Sequence, residues 1–371
     1  MTETGNNAGG ILSKIRADLR DVRPYAAVEP PERVADRFGI PHDRILKLDA
    51  NENPYGCSPR VAEALARCDR YHIYPDVICA ECRDSISRYV GVDPDRIVVG
   101  NGSDEIIDLV FRLFLNPGDV VISCPPTFGY YAASVASCGG VIRSVERKGY
   151  FDLDIPGILS QLDETVKVIV IASPNNPTGN CVHEEDLTRL LDTGLPVMVD
   201  EAYGEFSGKS AIPLIARYDN LIVLRTFSKW AGLAGLRAGY GIFSQVLADY
   251  IIKIKPPYNV SQAAQAAIKA SLEDVDYLLD RVKTIVVERD RLLAELRGMG
   301  YLEPYPSEAN FILCKVTRGT LAHIRAMLEM QGIFLRYYDD PRLQRNLRIS
   351  VGTPEQNDIL LKSLREIGES V

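Results

Sequence analysis

The chain predicts an α/β fold: a large domain built on a mostly parallel central sheet, followed by a smaller α+β domain. Three observations carry this. Continuous Val/Ile/Leu runs, apolar on both faces, alternate with helical segments, as parallel strands covered by helices do. Each run stops in a cluster of polar residues. After about residue 262 the alternation gives way to a long helix-rich stretch and three further strand patterns. A length of 371 residues suits two domains. The expected divisions are 1–50 (N-terminal arm and part of the small domain), 51–261 (large domain) and 262–371 (small domain).

In chain order, ILSKIRADLRDVRPY reads as an amphipathic helix, followed by the Pro-rich crossing VEPPERVADRFGI and the turn-rich LDANENPYGCSP. VAEALARC and CRDSISRYVG are helices. DRIVVGNG is a short buried strand and SDEIIDLVFRLFL the helix after it. DVVISCPP, VKVIVIASPNNPTG, LPVMVDEAY and NLIVLRTFSK share one design, an apolar run that ends in polar residues. TFGYYAASVASCG is a helix and GVIRSVE a strand between the first two of these. Past the helical stretch from Ser261 come ANFILCKV, a helix, GIFLRYY, NLRISVG and a last helix.

Composition narrows the functional classes. With 42 Lys and Arg against 50 Asp and Glu, the net charge is −8, unsuited to nucleic acid or an anionic membrane surface. No apolar run reaches the 18 or so residues of a spanning helix, and the N-terminus shows no secretory pattern, so a cytoplasmic protein is expected. Eight dispersed cysteines in such a chain favour free thiols. The Cys79/Cys82 pair lacks the second pair a zinc site needs, the four histidines are scattered, and no metal site is expected.

In parallel α/β sheets ligands sit at the carboxyl ends of strands. There the sequence places Ser103 in GNGSDE, Asn176 in SPNNPTG, Asp200 and Tyr203 in DEAY, and Thr226, Ser228 and Lys229 in RTFSK. Taken singly, these residues could be helix caps, turn formers or a solvated lysine. Four such clusters on one face ask for a common ligand. Ser103, Thr226, Ser228, Arg237 and the amides of a helix start suit a phosphate. Asp200 suits a protonated ring nitrogen, Asn176 and Tyr203 a phenolic ring oxygen, and Lys229 an aldehyde. Pyridoxal 5′-phosphate carries all four features.

The chain resembles the fold-type-I pyridoxal phosphate aminotransferases, and within them the histidinol-phosphate aminotransferases, over nearly its whole length. The motifs that carry the resemblance are RPY (23–25), LDANENPYG (48–56), GNGSDE (100–105), CPPTFGYY (124–131), SPNNPTG (173–179), DEAYGEF (200–206), TFSKWAGLAGLRAGYG (226–241), KPPYNV (255–260), ANFILC (309–314) and NLRISVG (346–352). The resemblance implies that Lys229 takes up the cofactor aldehyde and then serves as general base. It gives Asp200 the ring nitrogen, Tyr203 and Asn176 the ring oxygen, and Ser103, Asp104, Thr226, Ser228 and Arg237 the phosphate and its surroundings. Phe128 takes the stacking position, where many relatives have Tyr. Tyr55 looks like the residue that reaches a neighbour's phosphate across a homodimer interface. Arg348, Arg336, Tyr25 and Asn176 are implied at the substrate, and the small residues Ala231, Gly232, Ala234 and Gly235 are expected to let backbone approach the cofactor.

The implied reaction exchanges an amino group between histidinol phosphate and its keto form, with glutamate and 2-oxoglutarate as the other couple. An aromatic amino acid aminotransferase, a decarboxylase of a phosphorylated amino acid and a non-catalytic binding domain of the same fold remain open.

Overall fold

The computed structural model describes residues 8–20, 22 and 28–369. Among them twelve strands form two sheets: β1 (Leu46–Leu48), β2 (Ile97–Asn101), β3 (Val120–Ser123), β4 (Val141–Ser144), β5 (Val166–Ala172), β6 (Val197–Asp200), β7 (Leu221–Thr226), β8 (Ala238–Ile242), β9 (Leu302–Pro304), β10 (Phe311–Val316), β11 (Ile333–Tyr337) and β12 (Asn346–Ser350). The larger sheet has the order β2-β8-β7-β6-β5-β3-β4. Its neighbours pair in parallel except β8, which is antiparallel to both β2 and β7.

The doubly apolar runs have a direct cause in the packing. Successive residues of a strand point to opposite faces. Ile169, Ile171, Val197, Val199, Leu221 and Val223 enter one core, while Val168, Val170, Met198, Ile222 and Leu224 enter another on the opposite face. Burying each such side chain contributes about 1.5–3 kcal/mol, so both faces of the central strands stabilise the sheet. β4, at the edge, is only half covered.

Strand β8 is not in the sequence expectation, where RAGYG reads as small residues near a ligand. Glycine weakens a strand pattern and more often marks a bulge or a close approach. Here it marks a close approach: a Cβ on Gly239 would lie 2.4 Å from the Ser103 backbone nitrogen. The glycine thus lets β8 pass beneath the start of the helix Ser103–Phe114.

The second sheet has the order β1-β11-β12-β10-β9, antiparallel apart from the β1–β11 pair. Strand β1 comes from far upstream and joins this C-terminal sheet. The long helix Val275–Arg297 connects the two cores: Leu278, Val282 and Ile285 pack in the large one, Leu292 and Leu296 in the small one.

Two expectations near the N-terminus need correction. The segment from Ile11 is not one amphipathic helix over its described residues. A helix at Ala8–Leu12 and a 3-10 turn at Ala17–Leu19 are all that forms. Ile11, Leu12 and Ile15 stay exposed, so no apolar face is buried to hold a longer helix. The Pro-rich crossing does contain a helix, Pro31–Phe38, started by a proline at N1 and ended by Gly39 in the left-handed region.

Candidate active site

The polar ends of β2, β5, β6 and β7 open into one cavity of about 800 Å³. It lies between the two sheets, and β11 and β12 supply its other wall through Arg336 and Arg348. Thirteen of the residues singled out from the sequence line it, and ten of them fall into three groups.

The first group is an anion cradle. The helix Ser103–Phe114 begins after Gly102 with no side chain capping it, so its first amides are open at the cavity wall. Glu105 does not cap this helix; its Oε2 accepts from the Asn101 amide and from Asn259 Nδ2. Thr226 Oγ1 lies 3.0 Å from Ser228 Oγ and accepts from the Ser228 amide at 3.1 Å. Arg237 sits opposite, its Nη2 donating to Asp104 Oδ2 at 2.7 Å. Asp104 therefore belongs to the surroundings: a carboxylate repels an anion, and here it orients the arginine that would attract one.

The second group is a pair of strained charges. Asp200 ends β6 and is 5% exposed. Its Oδ2 accepts from the Tyr131 hydroxyl (2.7 Å) and its Oδ1 from the Ala202 amide (3.1 Å). Among the described residues no Lys or Arg forms an ion pair with it. Burial pushes its pKa up to about 6, against the pull of Tyr131 and Ala202. Lys229 Nζ donates to the Ala50 carbonyl at 3.0 Å. Burial, then the positive charges of Arg348 and Arg237, lower its pKa to about 8, with Glu52 and Asp104 opposing. The cavity thus holds a carboxylate short of a cation and an amine close to neutrality.

The third group faces them from the small sheet. Arg348 and Arg336 are direct partners in the β11–β12 ladder and so share one face. Leu347 and Ile349 point the other way, into the small core. Arg348 Nη1 donates to Asn176 Oδ1 (2.5 Å) and Nη2 to the Asp49 carbonyl (2.6 Å). Its guanidinium lies 5.2 Å from the Phe311 ring centroid, and its buried Nε has no partner among the described residues. With Asn176 Oδ1 engaged by Arg348, that side chain's remaining function is its amide donor.

The other residues named from the sequence are placed as follows. Phe128 lines the cavity and packs edge-on against Tyr131. Tyr55 does not line this chain's own cavity; it is half-buried with the Arg281 guanidinium 5.3 Å from its ring. Tyr25 lies outside the described residues. Of the small residues after Lys229, Ala234 alone lines the cavity. Gly232, at φ +69°, instead makes room for the loop at Gly56, whose carbonyl oxygen would be 2.2 Å from an added Cβ. Cys79 and Cys82 are buried away from the cavity, and burial raises their thiols to about 11 and about 12.

Two residues escaped the sequence reading. Asn51 is fully buried, sits at φ +55°, and donates from Nδ2 to the Tyr203 hydroxyl at 2.9 Å. Its backbone amide donates to Ser350 Oγ, which ties the cavity floor to β12. Tyr131 holds Asp200. Both stand inside quoted motifs, LDANENPYG and CPPTFGYY, but nothing in the linear pattern assigns them a partner.

A pyridoxal phosphate fits this donor set. Asp200 lacks the cation that a protonated pyridine would supply, the cradle offers open amides and hydroxyls to a phosphate, and Lys229 is an amine poised near neutrality. The family model for aminotransferase class I and II matches residues 43–364. A histidinol-phosphate aminotransferase of Dehalococcoides mccartyi is 48% identical, the alignment covering 96% of this chain and 98% of that one. One from Roseiflexus castenholzii is 47% identical over 96% of this chain and 99% of its own. The solved histidinol-phosphate aminotransferase of Sinorhizobium meliloti, in complex with pyridoxal-5′-phosphate, superposes with a TM-score of 0.83 at 28% identity, covering 93% of this chain and 96% of that one.

Proposed function

The chain belongs to the class I and II aminotransferases and, within them, to the histidinol-phosphate aminotransferases, and from that premise we propose that this cavity exchanges an amino group between histidinol phosphate (keto form imidazole acetol phosphate) and the glutamate/2-oxoglutarate pair, a step of histidine biosynthesis. The enzyme is a transaminase that uses pyridoxal phosphate. The observation that carries the substrate reading is the in-register pair Arg336 and Arg348 on the wall facing Lys229. Two neighbouring guanidiniums suit a phosphate monoester dianion, and equally a dicarboxylate.

Pyridoxal phosphate, when bound, supplies the aldehyde that takes up the substrate amine and the protonated ring that accepts the electron pair left at Cα. The residues of this chain do the rest. The cradle of Ser103, Thr226, Ser228 and Arg237 holds the phosphate. Asp200 would keep the proton on the ring nitrogen, Tyr203 and Asn176 would donate to the ring oxygen, and Phe128 would offer its face to the ring. Lys229, with its pKa lowered to about 8, has a neutral fraction at physiological pH and moves the proton to and from substrate Cα. Arg348 orients the substrate's anionic group, with Arg336 beside it on the same wall.

The purified protein is expected to show a pH-dependent visible band that disappears in Lys229→Ala. Bleaching by glutamate separates a transaminase from a decarboxylase on the same fold. Rates with histidinol phosphate, phenylalanine and glutamate then choose the substrate. Arg336→Ala is expected to raise KM for histidinol phosphate by about 10- to 100-fold and to leave phenylalanine within about two-fold, the loss typical of a charge-assisted contact. Equal losses on all three substrates would contradict the phosphate role.

A homodimer belongs to the same reading. Tyr71, Ile73, Tyr74, Val77, Ile78 and Tyr258 form an exposed apolar surface in which Tyr74 stacks on Tyr258 at 4.5 Å. A second copy of the chain would cover it and bring Tyr55 to the neighbour's phosphate. A cytoplasmic location accords with eight free cysteines. Among the described residues no helix is long and apolar enough to cross a membrane.

A further inference from the structure

We propose that Tyr131 is a positioning residue that acts through Asp200: its hydroxyl keeps the carboxylate ionised and aimed into the cavity, so that the proton of the bound cofactor stays on the ring nitrogen. This rests on the reading of the cavity as a pyridoxal phosphate site.

The geometry is specific. Tyr131 lies in the first turn of the helix Tyr130–Ser137, directly after the Pro126–Gly129 stretch that lines the cavity. Its side chain is 1% exposed, and its hydroxyl reaches Asp200 Oδ2 at 2.7 Å across 69 residues of chain. The ring is fixed from the other side by Phe128, edge-on at 5.5 Å and 87°. One residue therefore sets two parts of the cavity wall, the Asp200 carboxylate and the Phe128 ring.

The electrostatics give the contact its sign. Among the described residues Asp200 has two neutral donors, Tyr131 and the Ala202 amide, and no cation. Burial raises its pKa to about 6, and Asp104 and Glu201 push the same way; Tyr131 is the largest influence in the opposite direction. Donors to the charged form favour that form. Tyr131 itself faces Asp200, Tyr203 and Arg147, and its own pKa stands well above the ordinary phenol value, first through burial and then through Asp200. It is therefore a protonated donor throughout the working range. Without its hydroxyl, Asp200 protonates at higher pH and cannot pair with a ring cation there.

The test is a titration of pyridoxal phosphate into the apoprotein from pH 5 to pH 9, comparing wild type with Tyr131→Phe. The phenylalanine preserves the ring packing against Phe128. At pH 5.5 the variant is expected to bind roughly ten-fold more weakly, and the two curves should converge above pH 8. The cofactor's own phosphate and the charged groups Asp104, Glu201 and Arg147 are common to both proteins, so the difference between the curves isolates Asp200. In an Asp200→Asn background, Tyr131→Phe should have no effect on this difference. A loss of equal size at every pH would show a packing role and overturn the proposal, as would an unchanged acid limb or an effect that survives in Asp200→Asn. Failure of the wild-type apoprotein to bind pyridoxal phosphate would instead remove the reading on which the proposal rests.

Discussion

Asp200 and Glu201 are neighbours in sequence, both buried at the tip of β6, and they live in opposite electrostatic worlds. Asp200 faces the cavity and, among the described residues, has neutral donors only. Glu201 faces the other way, where Arg225 donates to its Oε2 at 2.8 Å and to Glu205 Oε1 at 2.7 Å. β7 repeats the division: Thr226 turns to the cavity, Arg225 to the ion network. The strand period of two separates the faces. On the closed face the protein pairs its charges internally. Burial works against the charge on Arg225, and Glu205 and Glu201 more than offset it, so its pKa is raised. On the open face burial shifts Asp200 and Lys229 toward neutrality, and among the described residues neither has a salt-bridge partner. The contrast teaches where ligand binding is prepared: charges left uncompensated by the fold are the ones available to a cofactor.

Breaking the closed face should have the largest effect on folding. Arg225→Met leaves Glu201 and Glu205 buried without a cation, and denaturant unfolding should show a loss of about 3–5 kcal/mol. A loss below about 1 kcal/mol would mean that the two faces do not differ as described.

Altering the open face should have the opposite sign. The folded pKa of Asp200, about 6, stands above the ordinary carboxylate value, so its ionisation opposes folding. Stability from this group is fully present below the unfolded pKa and is lost as pH rises through about 6. Apo Asp200→Asn is therefore expected to be more stable than apo wild type at pH 8, by about 2 kcal/mol, and equal to it near pH 4. Thermal unfolding at the two pH values reads the difference directly. A wild-type protein that is the more stable one at pH 8 would refute the account.

The smallest effect should come from a charge pair with neither kind of environment. Arg342 Nη1 meets Glu146 at 2.9 Å across the rim, with side-chain exposures of 39% and 60%. Glu146→Gln should change stability by at most about 0.5 kcal/mol, because solvent screens such pairs. A larger change would make the contrast between the two faces one of charge count and not of burial.

The legibility of the fold and the site followed from the same periodicities. Runs such as VKVIVIA declare a strand covered on both faces, and their polar ends name Asn176, Asp200, Thr226 and Lys229 because a parallel sheet presents its carboxyl ends together. β8 was hidden because its glycines, needed for a 2.4 Å approach, erase the β-branched signature. Asn51 and Tyr131 were hidden for another reason. Each acts on a partner distant in the chain, 152 residues away for Asn51–Tyr203, and no local pattern encodes such a pair. The pairing of Arg336 with Arg348 likewise becomes visible only in the register of β11 and β12.

By itself, the sequence determined which residues end the buried strands and that successive ones face opposite sides, since apolar runs and the strand period of two are local properties of the chain. The tertiary structure alone decided which of those groups were compensated. Charge compensation depends on distances of a few ångströms between strands far apart in sequence, and it is this that separates Asp200, left for a ligand, from Glu201, locked to Arg225.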